Sequence, residues 1–165
     1  MQTTAEKIIL DACCGARMFH FDKQNQAVLF MDNRHEVHKI SDHHKPLHVN
    51  PDFLADFRQM PFVDESFYHV IFDPPHLLKG TEAAWLIKKY GKLPKAWQPI
   101  IKDGFNECWR VLKPNGTLVF KWSEYNIKVN EIIQCIGREP LYGHKSGKQQ
   151  KTHWLVFVKL PPAER

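Results

Sequence analysis

Apolar residues in this chain fall into short continuous runs separated by longer stretches of mixed polarity. Residues 7–13 (KIILDAC), 27–32 (AVLFMD), 67–73 (FYHVIFD), 117–122 (TLVFKW) and 152–160 (THWLVFVKL) read as strands. Several are too continuously apolar for a strand with one face in water. A weaker strand is expected within residues 47–54. Between these runs, residues 81–90, 96–112 and 127–136 have helical spacing. The middle one places Trp97, Ile100, Ile101, Phe105, Cys108, Trp109 and Leu112 on one broad face that reads as core packing. Pro114-Asn115-Gly116 then predicts a turn before the next strand. Strand and helix in this rhythm predict an α/β fold, with a mostly parallel sheet and helices on both faces. In such sheets ligands bind beyond the carboxyl ends of the strands, so the residues that end each strand are the candidates for chemistry.

The first strand ends in Asp11-Ala12-Cys13-Cys14-Gly15. A glycine just past a buried strand permits a sharp turn and close approach of a ligand to the backbone, and a helix expected to start behind it would offer free N–H groups. With one glycine and no Gly-Lys-Ser/Thr ending, the turn is neither a dinucleotide fingerprint nor a phosphate loop. Asp11 suits an ammonium better than a phosphate, which points to a ligand carrying an amino acid moiety. Asp32 ends the second strand roughly 20 residues later, the spacing of an acid that holds a ribose. Asp56-Phe57 pairs an acid with an aromatic ring, a combination suited to the amine and the face of an adenine. Cys13 and Cys14 fit as small residues lining the same pocket.

The strand over residues 67–73 ends in Asp73-Pro74-Pro75-His76. Two prolines remove two backbone donors and stiffen the turn, leaving carbonyls that only accept. The Asp73 carboxylate and the Pro74 carbonyl can take the two N–H groups of an exocyclic amine. Its delocalised lone pair is thereby steered toward a methyl donor. The His76 ring can stack on the base. The bland alternative is a rigid surface turn, which the strand context disfavours.

This turn resembles the Asp/Asn-Pro-Pro-aromatic signature of the nucleic-acid amino-methyltransferases, which act on adenine N6 or cytosine N4. They belong to the class I S-adenosylmethionine-dependent methyltransferases. Other stretches agree in order. Residues 10–15 (LDACCG) resemble the donor-binding first motif, residues 60–67 (MPFVDESF) the lead-in to the fourth strand, and residues 107–119 (ECWRVLKPNGTLV) the helix, turn and fifth strand. The resemblance spans residues 8–122, with a closing hairpin expected over 141–160. It implies a Rossmann-like, seven-stranded sheet with its last strand antiparallel, S-adenosyl-L-methionine as cofactor, and donor roles for Asp11, Gly15, Asp32 and Asp56. Two departures stand out. His76 replaces the usual Tyr, Phe or Trp, and the first motif has Cys13-Cys14-Gly15 where many relatives carry more glycines.

With 165 residues the chain is expected to form a single catalytic domain over 1–165. It leaves no room for a separate target-recognition domain, so selectivity is expected from loops, a protein partner or a second copy. The net charge of +5 gathers in two places. One is the segment from Lys79 to Lys102. The other is the hairpin loop with His144, Lys145, Lys148 and Lys151. Both are expected to border the site mouth and meet nucleic acid, DNA ahead of RNA. A solvated basic face is the alternative.

Four cysteines without a framework, no secretory leader pattern and no apolar run near ~20 residues predict a cytoplasmic protein with no membrane span. His35, His38, His43, His44 and His48 invite a metal reading, but no zinc-type spacing occurs and no metal is expected. The expected activity is methylation of an exocyclic nucleobase amine, adenine N6 in DNA first. The alternatives are RNA adenine, a protein glutamine, or a non-catalytic subunit that binds S-adenosylmethionine.

Overall fold

The computed structural model describes residues 6–39, 45–81 and 84–161. Among the described residues nine strands and three helices run in the order β1 (Ile9–Asp11), β2 (Val28–Asp32), β3 (Glu36–His38), β4 (Leu47–Val49), β5 (Phe53–Leu54), β6 (Phe67–Phe72), α1 (Trp85–Tyr90), α2 (Gln98–Val111), β7 (Leu112–Ser123), α3 (Val129–Ile136), β8 (Tyr142–Ser146) and β9 (Thr152–Val158). Seven strands form one sheet in the order β5-β2-β1-β6-β7-β9-β8. β1 pairs in parallel with β2 and β6, and β6 with β7. β9, the last strand, runs antiparallel to both β7 and β8. The sheet is therefore the expected one, mostly parallel with an antiparallel last strand.

The weak strand expected over 47–54 resolves into two. β5 takes the place beside β2, while β4 leaves the sheet and pairs antiparallel with β3 in a small ribbon. The Pro114-Asn115-Gly116 turn lies inside β7, as an excursion with Asn115 at φ 63° opposite a register shift in β6.

Alternation along the strands sorts side chains to the two sheet faces. Leu10, Met31, Val70, Phe72, Leu118, Phe120 and Trp122 share one face with Ile101, Phe105 and Cys108 of α2 and Ile132 and Ile136 of α3, forming the main core. Each such apolar side chain contributes about 1.5–3 kcal/mol on burial. Pro99 sits in the first turn of α2, where its missing N–H costs nothing.

On the opposite face Cys14, Val28 and Phe30 make a smaller cluster. The helix expected behind Gly15 does not form, and residues 12–27 run through turns instead. Asp22 and Asn25 each accept from a backbone N–H two residues on, a local bond that competes with helix. Arg17 straps the segment down, donating to the carbonyls of Lys23 and Asn50 and to Asp52 while lying 3.8 Å over the Phe30 ring. Here Phe19 and His20 provide cover that a helix would otherwise supply, packing on Trp154 and Phe30.

Candidate functional site

β1 crosses to β2 on one side, and the chain crosses from β6 to β7 on the other, so the strand order reverses between β1 and β6. That switch point opens a crevice at the carboxyl ends of both strands. A cleft of about 270 Å³ lies there, walled by Ala12, Cys13, Cys14 and Gly15 after β1, Asp32 and Arg34 after β2, Phe57, the Asp73–His76 turn, Lys89 and Tyr90 of α1, and Lys121 of β7. It is near the lower end of the size range of ligand sites.

Ten residues expected at the site therefore meet in one cavity: Ala12, Cys13, Cys14, Gly15, Asp32, Phe57, Asp73, Pro74, Pro75 and His76. Gly15 has φ 49°, and a Cβ placed on it would meet nothing within 4 Å. The backbone there faces open space at a conformation that disfavours side chains. Asp32 is 5% exposed. One of its oxygens accepts from the Gly15 N–H at 2.9 Å, and the other from the backbone and Nε of Arg34. Burial pushes the thiols of Cys13 and Cys14 up, so both stay protonated, inert and small.

Asp11 does not join the cleft. Its carboxylate is fully buried behind the wall, where Oδ2 lies 2.7 Å from His20 Nε2 and Oδ1 accepts from the Cys13 N–H. Asp11 shares the alternation of Ile9 and so lies on the face of the smaller cluster, where His20 covers its carboxylate. Asp56 also stays outside the lining, and Arg58 engages both of its oxygens. Of the Asp56-Phe57 pair, only the ring reaches the cavity.

The Asp73–His76 turn is pinned from behind. Gly91, at the end of α1 with φ 75°, lies against Pro75, and a Cβ there would stand 2.9 Å from the Pro75 ring. The Leu93 N–H donates to the Leu77 carbonyl, and the Asn126 side chain accepts from the Leu78 N–H. His76 is buried, its ring 5.4 Å from Tyr90 and 6.2 Å from Trp122. Burial, followed by the nearby Lys121 charge, lowers its pKa to about 4, against the opposing pull of the Pro74 carbonyl. His76 is therefore neutral at ordinary pH. Burial raises the Asp73 carboxyl, a shift partly opposed by Lys121, whose Nζ donates to Asp73 Oδ2 at 2.7 Å.

Lys121, Arg34, Phe19 and Tyr90 carry no expectation from the sequence, whereas Lys89 belongs to the basic Lys79–Lys102 segment expected at the site mouth and does line the cleft. Lys121 left one signal, a lone charge between Phe120 and Trp122 in an otherwise apolar strand. Lys79, His144, Lys145, Lys148 and Lys151 do not line the cleft. The hairpin loop does lie at the same sheet edge as Asp73, because Ser123 at the end of β7 pairs with Thr152. Among the described residues no group of three or more His, Cys, Asp or Glu side chains converges as a metal site. His38 pairs with Glu36, and His43 and His44 lie outside the described residues. No helix among the described residues is long and apolar enough to cross a membrane.

Two stretches that carried the family resemblance are tied together. Glu107 accepts from the Met60 N–H, and Arg110 donates to the Met60 and Phe62 carbonyls, to Asp64 and to Glu107.

No protein-family model matches the sequence, and no curated protein matches it. Solved structures do resemble the fold. A protein of Pyrococcus horikoshii OT3 superposes with a TM-score of 0.51 at 15% identity, over 92% of this chain and 81% of its own. A protein of Methanococcus maripaludis, described as a candidate S-adenosyl-L-methionine-dependent methyltransferase, superposes with a TM-score of 0.50 at 11% identity, over 95% of this chain and 79% of its own. With its strand order and antiparallel last strand, the chain has the fold of the class I S-adenosylmethionine-dependent methyltransferases.

Proposed function

We propose that this chain transfers the methyl group of S-adenosyl-L-methionine to an exocyclic amine of a nucleobase, with adenine N6 in DNA as the first acceptor to test. The observation that carries the reading is a single cleft at the switch point, where the Gly15 turn, Asp32 and the Asp73–His76 turn converge. The residues present fit the donor. The Gly15 backbone faces open space, Asp32 offers a buried carboxylate for a ribose, Phe57 offers a ring to an adenine, and Ala12, Cys13 and Cys14 give small walls. To use Asp32, the ribose hydroxyls take over acceptor positions now held by Arg34.

When bound, the donor supplies an electrophilic sulfonium methyl. Asp73 and the Pro74 carbonyl accept the two N–H bonds of the amine and turn its lone pair toward that methyl. Pro75, wedged against Gly91, holds the turn, while neutral His76 and Tyr90 offer ring faces to the base. A base within duplex DNA reaches the cleft only when flipped out. Lys79, His144, Lys145, Lys148 and Lys151, outside the cleft, are read as phosphate contacts. Selectivity then rests on loops, a protein partner or a second copy.

One observation favours a second reading. Asp73 is already paired with Lys121, and the Pro74 carbonyl stands beside the His76 ring, which suits a subunit that binds donor without transfer. Labelled donor incubated with DNA, RNA and cell protein, followed by nucleoside and amino acid analysis, separates the readings. N6-methyldeoxyadenosine supports the proposal, whereas a methylated ribonucleoside or glutamine moves the acceptor. Donor binding with no transfer to any of the three supports the second reading. Asp73→Ala is expected to abolish transfer while leaving S-adenosylhomocysteine binding within about twofold, since a buried group made for the acceptor is lost. Full activity in this variant would overturn catalysis at the turn.

A further inference from the structure

Lys121 enters the cleft from the sheet face opposite the main core. Its neighbours in β7, Phe120 and Trp122, are fully buried on the other side. The ammonium is bracketed by the Phe19 ring at 5.4 Å and the Trp154 ring at 5.6 Å, which pack edge-on against each other. Lys121 and Asp73 are both mostly buried, with side chains 19% and 16% exposed. A lysine in such a place is costly unless its partner and surroundings hold it there. The ion pair is asymmetric. Oδ2 of Asp73 takes the Lys121 ammonium at 2.7 Å, and Oδ1 takes no hydrogen bond from the described residues.

We propose that Lys121 is a positioning residue of this site: its ammonium holds one oxygen of Asp73 and thereby presents the other, in a fixed rotamer, as the acceptor for the substrate N–H. The proposal rests on the amine-methylating reading of the cleft and adds the group that makes Asp73 usable there. A carboxyl accepts an N–H strongly only as the anion. Burial pushes Asp73 toward the protonated form, and Lys121 is the opposing charge in direct contact. The other titratable groups facing Asp73 work against ionisation or stand farther away. Asp11 at the end of β1 adds like charge, Cys13 stays a thiol, and His76 is neutral. Asp32 with Arg34, and Lys89 with Tyr90, line other walls of the cleft.

This role differs from simple structural support, because a conservative cation can replace it and because its importance depends on Asp73 being an acid. The test uses the full chain and the variants Lys121→Met, Lys121→Gln, Lys121→Arg, Asp73→Asn and Asp73→Asn with Lys121→Met. The Asp73 carboxyl is titrated by carbon NMR, assigned by the signal lost in Asp73→Asn, and this readout needs neither donor nor acceptor. Lys121→Met is expected to move the titration up by roughly one to three pH units, and Lys121→Arg to leave it close to the parent. Should the Met variant fail to fold, Lys121→Gln carries the same expectation.

Single-turnover transfer is then followed against pH. Lys121→Met is expected to slow it roughly tenfold or more on the acid side, with S-adenosylhomocysteine affinity unchanged. The same change in the Asp73→Asn background, where the acceptor has no charge to keep, is expected to cost much less. An unmoved Asp73 titration in a folded Lys121→Met or Lys121→Gln variant overturns the proposal. So does an equal loss in both backgrounds. If the parent chain transfers no methyl group to any acceptor, the amine-methylating reading fails, and the NMR titration alone decides whether Lys121 holds Asp73 ionised.

Discussion

Replacing Gly104 by alanine adds a methyl group where α2 packs against the Phe57 and Phe72 rings. On a solvent-facing helix position this change stabilises by about 1 kcal/mol, because glycine is the poorer helix former. Here the new carbon would lie 2.5 and 2.7 Å from two atoms of the Phe57 ring and 2.8 Å from the Phe72 ring. Such distances require a side chain to move. Phe72 is fully buried and packs on Phe120 at 5.1 Å, so it has nowhere to go. Phe57, 8% exposed, is the ring that can yield, and it lines the cavity.

Overpacking of this kind costs about 1–3 kcal/mol, against the roughly 1 kcal/mol helix gain. Gly104→Ala is therefore expected to destabilise by up to about 2 kcal/mol, which for a chain of this size lowers Tm by up to roughly 8 °C in calorimetry. The displaced ring would also intrude on the cleft it lines, and if that cleft takes the donor as proposed, S-adenosylhomocysteine should bind about tenfold more weakly in titration calorimetry, equivalent to about 1.4 kcal/mol. A raised Tm with unchanged affinity would refute the reasoning, since it would mean that the helix term acts alone and that Phe57 is not wedged under the site.

Two further outcomes follow from the same contacts. The Arg110 guanidinium holds the Glu107 carboxyl below its ordinary range. The stability this gives is fully present above the unfolded-state value and is lost as pH falls through the lower folded-state value. Glu107→Gln should therefore be less stable than the parent near neutral pH in urea unfolding, with the gap closing from about pH 5 towards pH 3. A gap that stays constant over that range would remove the ion pair as its cause. If the hairpin loop meets phosphates, changing Lys145, Lys148 and Lys151 together to Gln should weaken DNA binding. It should also flatten the salt dependence of log K by up to about 2 to 3 units of slope. An unaltered slope would show that the loop is only a solvated basic face.

Much of the site was legible from residue order. Gly15, Asp32 and the Asp73–His76 turn each end an apolar strand, and a parallel sheet brings the ends of its strands to one edge whatever the loops between them do. The glutamate and arginine of the 107–119 stretch and the 60–67 lead-in looked like separate signatures, and the fold joins them through Arg110. The helix expected behind Gly15 was not legible as absent. Its turns depend on Arg17 reaching Asn50 and Asp52, more than thirty residues away in sequence.

Local pattern determined the strands of the main sheet, the three helices and the order of the acidic strand ends, because burial and alternation act over a few residues, while the short β3 of the side ribbon left no such signal. Only the tertiary structure decided which acids face the cleft. Asp11 and Asp56 have the right type and spacing, yet His20 takes one from behind the wall and Arg58 takes the other outside it. It also brought Lys121 onto Asp73 across 48 residues of sequence. A carboxylate's role is set by which partner and how much water surround it, and both are properties of packing between distant segments rather than of the residue's neighbours in sequence.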